Sequence, residues 1–448
     1  MTIRWTHLLA SAAPLALAIA APAQAQSAQD IADLRAEIAA LRAEQAESKA
    51  RIAQLEAQRD AARTVAQASP ASAAPSASPV VMAAVPSQGG AAAPVNPAGG
   101  SAPGVAPAPV PSRLALNGDV RVRYESNFGL DNVRDRDRLV LRARLRGTYA
   151  INKWLAIGGQ IATGDNDDPN TTDITLANFD DDLTVALDQA YLRGMFGGLT
   201  VYGGKIPQPF ARTELVWDGD VSPQGVSGSY KVPLGKGSLK ANGLYFIIDD
   251  AVSGRDSRMF GGQLQAETNP SAPVKFEIAA GYYDYHLPST AGGDAGDFRT
   301  NRFAAGRYLS DFNLLDVIGA VQFNGLGERW PVRLVGDYVH NYGAIDNQDT
   351  GFGIDLLLGR GNKLHDWRFG YGYAETEVDA VLTAFSHDNT NLASNYLQHT
   401  LLVDYVIAPN VILNATWYHY RAKDARFTTA FSPTDWADRV RLNFLANF

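Results

Sequence analysis

Arg439-Val440-Arg441-Leu442-Asn443-Phe444-Leu445-Ala446-Asn447-Phe448 is the stretch on which the fold turns. Val440, Leu442, Phe444, Ala446 and Phe448 fall on one face, and Arg439, Arg441, Asn443 and Asn447 on the other. A period of two marks an extended strand, because successive side chains leave opposite faces of a sheet. One side of this strand wants oil and the other wants water. A soluble sandwich also alternates, but it rarely finishes on an apolar aromatic at its last residue.

The other end of the chain narrows the choice. Arg4 supplies a positive start, Leu8 to Ala20 is a short apolar core, and Ala21-Pro22-Ala23 and Ala23-Gln24-Ala25 offer cleavage sites. Such a run is too short to span a bilayer as a helix and predicts a removable secretory leader over residues 1–25. Polar or charged residues interrupt every later hydrophobic run, so no transmembrane helix is expected. An exported chain of this kind is either soluble in the periplasm or a β-barrel in the outer membrane of a Gram-negative bacterium. The terminal Phe448, closing an alternating strand, resembles the C-terminal signature that the barrel assembly machinery reads in outer-membrane proteins. An all-β transmembrane antiparallel barrel is therefore the expected fold.

Composition agrees. The sequence has no cysteine, so neither disulfides nor thiolate ligands are available. Its formal charge is −8, from 39 basic and 47 acidic residues, and losing Arg4 with the leader makes it one unit more acidic. That balance argues against nucleic-acid binding.

Three regions follow the leader. Residues 26–64 carry a heptad, with Ile31, Ile38 and Ile52 at a and Leu34, Leu41 and Leu55 at d. This pattern predicts a periplasmic coiled coil and hence an oligomer. Ile at a with Leu at d nominally favours two strands, but large barrel channels usually trimerise, and a homotrimer is the expectation. Residues 65–112 are dominated by Ala, Pro, Ser and Gly and predict a disordered tether. Residues 113–448 form the barrel.

Within the barrel the alternation recurs in Leu114–Tyr124, Asp137–Ala150, Trp154–Gly164, Leu183–Gly194, Leu199–Ile206, Gly225–Val232, Leu239–Ile247 and Arg258–Glu267. It continues in Val274–Asp284, Leu314–Phe323, Pro331–Asn341, Thr350–Leu358, His365–Glu375, Asn395–Tyr405, Val411–Arg421 and Asp438–Phe448. The total is sixteen, an even number as in single-chain barrels. The stretch 301–323 fits either one long strand or two short ones. Connections alternate between short turns, such as Ile151-Asn152-Lys153 and Phe196–Gly198, and long loops, such as Asp165–Asp182 and Thr376–Ser394. That rhythm matches periplasmic turns and outer loops.

A sixteen-strand barrel is too wide for side chains to fill. Arginine on the lipid face near the midplane costs about 2–4 kcal/mol, so the basic sides must point inward. Arg121, Arg123, Arg142, Arg144, Arg146, Arg439 and Arg441 then form a basic wall over the first, second and last strands. The wall either lines a permeation path or pairs structurally with nearby Asp119, Asp137 and Asp438. The third outer loop, Pro207–Gln224, carries Glu214, Asp218 and Asp220, with Phe210 and Trp217 as anchors. Folded into the lumen opposite the wall, it would set up a transverse field.

Gly203-Gly204-Lys205 through Trp217-Asp218-Gly219-Asp220 to Pro223-Gln224-Gly225 resembles the putative porin family of Proteobacteria. So do Gly118-Asp119-Val120-Arg121-Val122-Arg123 and Asp188-Gln189-Ala190-Tyr191-Leu192. The plan of leader, coil and barrel also resembles phosphate-selective porins. The resemblance implies a passive, trimeric outer-membrane channel for small hydrophilic solutes or ions, embedded in lipid and lipopolysaccharide, without cofactor or catalytic residue. Two other readings are a structural tether acting through the coil and an outer-membrane enzyme. The acidic Asp165–Asp168 and Asp180–Asp182 stretches miss the spacing of a calcium loop, and no metal site is expected. The histidines are scattered, and Ser386-His387 sit adjacent in a long loop, which makes no nucleophile–base arrangement.

Overall fold

The computed structural model describes residues 113–130, 134–164, 168–176, 183–252, 254–428 and 432–448. The leader (1–25), coiled coil (26–64) and tether (65–112) expected from the sequence lie outside these residues, as do 165–167 and 177–182 of the acidic loop.

Sixteen long strands follow one another: β1 Leu114–Phe128, β2 Arg136–Ala150, β3 Leu155–Thr163, β4 Val185–Phe196, β5 Leu199–Lys205, β6 Gln224–Leu234, β7 Gly237–Asp249 and β8 Ser257–Glu267. The second half is β9 Val274–His286, β10 Asn313–Phe323, β11 Val332–Asn341, β12 Thr350–Gly359, β13 Trp367–Thr376, β14 Tyr396–Ala408, β15 Val411–Ala422 and β16 Ala437–Asn447. Each pairs antiparallel with its neighbours in sequence, and β1 pairs with β16 from Asp119↔Asn447 to Phe128↔Asp438. Reciprocal backbone bonds between Gly118 and Phe448, at 2.9 and 3.0 Å, complete the seam. The sheet is a closed antiparallel barrel without a free edge, which satisfies every ladder group where no water is available.

Residues 301–323 hold one long strand, β10, preceded by a four-residue helix (Ala295–Phe298) and a two-residue bridge between Phe303–Ala304 and Arg307–Tyr308. The long connections all leave one rim, and the short turns all leave the other.

The alternation read from the sequence sorts side chains as expected. On β1, Val120, Val122 and Tyr124 are 39, 42 and 41 % exposed on the outer surface, whereas Arg121 and Arg123 are each 5 % exposed inside. Aromatics crowd the short-turn rim on the outside. Trp154 stacks on Phe196 at 5.6 Å, and Trp367 on Tyr405 at 4.5 Å and on Phe369 at 5.9 Å. Trp417 and Trp436 mark the other rim. Apolar strand faces between two aromatic belts are what a lipid bilayer selects.

Candidate functional site

The interior is built by loops that fold inward. At the root of the loop between β5 and β6, Gly204 and Gly225 lie directly opposite each other with φ of +122° and +148°. Those dihedrals belong to glycine. A Cβ on either would also run into a neighbouring backbone carbonyl, Ala190 or Tyr245. The glycine-flanked motif thus bends the chain between Ile206 and Pro223 toward the inside of the barrel.

Apolar contact then fixes the loop. Phe210, Leu215, Val216, Trp217 and Val221 are buried against Leu244 and Phe246 of β7, Met259 of β8, and Tyr283 and Tyr285 of β9. Trp217 meets Tyr283 edge-on at 5.5 Å and stacks on Phe385 at 5.9 Å. Phe385 belongs to the loop between β13 and β14, which the sequence reading left as an ordinary outer loop. Val378, Ala380, Val381, Leu382, Ala384 and Phe385 are all buried, so this second loop also packs inside. Its apolar run was the available signal, since a loop facing water has no reason to carry it. Polar contacts clamp it further. Asn301 Nδ2 donates to the Val378 carbonyl at 2.9 Å, Asn170 Nδ2 to that of Ser386 at 2.8 Å, and Asp218 N to that of Phe385 at 2.8 Å.

Five of the seven wall arginines are buried beneath these loops, Arg144 is half-buried, and Arg146 is the most open. They point inward and are heavily paired. Asp119 lies 3.0 Å from Arg142, 2.9 Å from Arg144 and 3.7 Å from Arg146. Glu125, fully buried, has Arg138 at 2.6 Å, Arg441 at 2.7 Å, Arg439 at 3.6 Å and Arg123 at 3.8 Å. Asp173, from the loop between β3 and β4, bonds Arg121 and sits 2.8 Å from Arg123. Of the partners expected from sequence, only Asp119 takes this part. Asp438 instead accepts from Trp417 Nε1 at 2.7 Å on the outer face, and Asp137 forms no ion pair among the described residues.

The acidic loop residues separate. Asp220 sits on the wall itself, 2.5 Å from Arg144 and 3.9 Å from Arg142, and accepts from Thr172 Oγ1 at 3.1 Å. Burial alone would raise its carboxyl, but Arg144 and Arg142 bring it below the usual range. Asp173 is lowered further against the same burial, by Arg121 and Arg123. Asp218 is buried beside Glu214, and both effects push its carboxyl well above the usual value. Glu214 pairs with Arg212 of its own loop at 3.1 Å.

Away from the wall, a cavity of about 60 Å³ opens between the two inserted loops and β11 to β15. Glu214, Asp337 of β11 and Asp355 of β12 line it, with Tyr373, Tyr396, Tyr418, Gln398 and His387. Burial, then Arg299, hold His387 down at about 3, so it is neutral. Asp337 and Asp355 were absent from the sequence reading, although Val335-Gly336-Asp337 and Gly353-Ile354-Asp355 place both carboxylates inward by alternation. No group of metal-ligating side chains gathers among the described residues. Ser386 donates to the Ala393 carbonyl at 3.2 Å, and His387 Nδ1 accepts from Asn389 N at 3.2 Å, so neither addresses the other.

A closed barrel with an apolar outer surface and a polar, loop-lined interior defines a transmembrane β-barrel. The family profile described as putative porin matches residues 129–292, which bears out the resemblance read from the sequence over that stretch of the barrel. Among solved structures, two mutant porins of Rhodopseudomonas blastica align over 75 % of this chain and 100 % of their own. One is 12 % identical with a TM-score of 0.43, and the other 13 % identical with a TM-score of 0.42. Likeness that distant carries no argument. No curated protein sequence matches the chain.

Proposed function

We propose that this protein is an outer-membrane porin, a passive diffusion channel for small hydrophilic solutes or ions. The observation that carries this reading is the closed ring of sixteen strands, lipid-compatible outside and charged inside. In this reading the arginine wall takes the structural one of the two parts that its sequence left open. Arg121, Arg123, Arg142, Arg144, Arg439 and Arg441 seat the inserted loops through Asp173, Asp220 and the asparagines 389 and 391, and solutes pass elsewhere. The passage lies along the side of the lumen bounded by β11 to β15, where Glu214, Asp337 and Asp355 line the cavity between the inserted loops and the wall. Glu214 would stand at the constriction, whereas Asp218 and Asp220 would hold the loop that forms it.

The coil over 26–64 would tie three such barrels together below the membrane, with 65–112 as slack. Phe448 would act as the assembly signal, and lipopolysaccharide would meet the loop rim. The test is the current carried by the purified full chain in a planar bilayer. Stepwise openings support the reading. A correctly folded barrel that passes no current removes it and favours an envelope tether.

A further inference from the structure

The cavity beside Glu214 has properties that a mere gap between loops does not need. Its lining includes three carboxylates and no lysine or arginine. The nearest cations already have partners: Arg212 pairs with one oxygen of the lining Glu214 at 3.1 Å, and Arg441 with Glu125 at 2.7 Å and Asn389 Oδ1 at 2.8 Å. The Asp355 carboxylate has no hydrogen bond or ion pair among the described residues, although its backbone pairs in the sheet. Its carboxylate lies directly over Gly372, where any Cβ would collide with Oδ1.

Asp337 is 3 % exposed; its Oδ2 accepts from Thr213 Oγ1, and its carboxyl also meets that of Asp316 on β10. One buried acceptor of the lining lacks a donor. Gln398 is 8 % exposed; its Nε2 donates to Thr400 Oγ1 at 3.3 Å, and its Oε1 has no partner. A buried acceptor left unsatisfied costs about 1–3 kcal/mol, and converging like charges repel unless a proton or cation lies among them. Aromatic faces of Tyr373 and Tyr396 complete the wall, and such faces attract cations.

Resting on the porin reading above, we propose that this cavity is a binding station for a small organic cation, an ammonium- or guanidinium-bearing solute held by Asp355, Asp337 and Glu214. By the measure in which one water needs about 10–15 Å³, the cavity admits a few waters or one such head group. A sugar ring does not fit without loop movement. The absence of a cluster of metal ligands among the described residues favours an organic cation over a metal ion.

The experiment is equilibrium dialysis of labelled putrescine, a diamine, against the folded full chain in detergent, with succinate as the anionic control. Saturable putrescine binding, weakened at least about tenfold by Asp355→Asn and again by Glu214→Gln, is expected; each substitution removes one charged acceptor. Both variants are checked for the folded barrel by their resistance to unfolding on an unheated gel. Gly372→Ala supplies a variant that keeps every carboxylate, and it too should weaken putrescine by displacing Asp355. Absence of putrescine binding, binding indifferent to Asp355→Asn, or preference for succinate would each overturn the station. Conductance recorded in parallel separates the two ideas. Binding without current keeps the station and removes the porin, whereas current without binding does the reverse.

Discussion

Replacing Asp220 with asparagine should release the inserted loop. Asp220 reaches out of the loop between β5 and β6 to Arg144 at 2.5 Å, with Arg142 at 3.9 Å and Thr172 Oγ1 at 3.1 Å. Asparagine keeps the shape and the bond from Thr172 but removes the charge. Breaking one partner out of a buried ion pair costs about 3–5 kcal/mol. The lower end applies, because Arg144 and Arg142 retain Asp119 at 2.9 and 3.0 Å. About 3 kcal/mol corresponds to roughly a hundredfold rise in the population of the unseated loop. The chain has no cysteine of its own, so a single reporter can be placed at Val221, a residue of the loop itself that is buried while the loop is seated. In a Val221→Cys background, a thiol reagent reacts only while the loop is open, and its rate follows that population. The rate should rise about a hundredfold with Asp220→Asn. It should change little between low and high salt, because buried pairs are weakly screened. A rate within threefold of the parent would refute the argument that this contact seats the loop.

Glu125→Gln leaves four arginines around one neutral amide, and the barrel should lose about 3–5 kcal/mol against urea, read by gel mobility without boiling; a variant as stable as the parent means that the arginines neutralise one another through other groups. Asp218 has a raised folded-state pKa, so its favourable contribution exists at low pH and is lost as pH rises through that raised value. Val221→Cys labelling, normalised to a free thiol, should therefore increase with pH over that range, and Asp218→Asn should flatten the profile; an unchanged profile in the variant assigns the dependence to another group. Asp173 and Asp220 act in the opposite sense, because their folded pKa values are lowered, and their hold is lost only on acidification below the usual carboxylate range. Gly225→Ala, at φ +148° and facing the Tyr245 carbonyl, should cost about 1–3 kcal/mol and loosen the loop root, visible in the same labelling rate.

Much of this architecture was legible because a strand in a bilayer has one job per face. Val120-Arg121-Val122-Arg123 reads as lipid, lumen, lipid, lumen, and the structure places each side chain accordingly. Register followed from closure: once β16 pairs with β1, Arg439 and Arg441 must join Arg121 and Arg123 on one wall. What the alternation does not carry is partner choice. Glu125 meets Arg441 across 316 residues because the β1–β16 register sets them opposite, and Asp173 meets Arg121 across 52 by the path of its loop. The acidic side of the lumen was within reach, since Asp337 and Asp355 share the inward faces of their strands with Val335 and Leu357. The apolar run from Val378 to Phe385 shows why a loop's composition must be weighed as well as its length: those side chains left water and joined Trp217.

The most direct measurement is the reversal potential of single channels formed by the full chain under a KCl gradient. With the arginines seated on loop and strand carboxylates, and with Glu214, Asp337 and Asp355 facing the open side, the account predicts stepwise openings whose reversal potential shows cation preference. Openings with anion preference would contradict the assignment of the path to the acidic side, and a folded barrel that never conducts would contradict the porin itself.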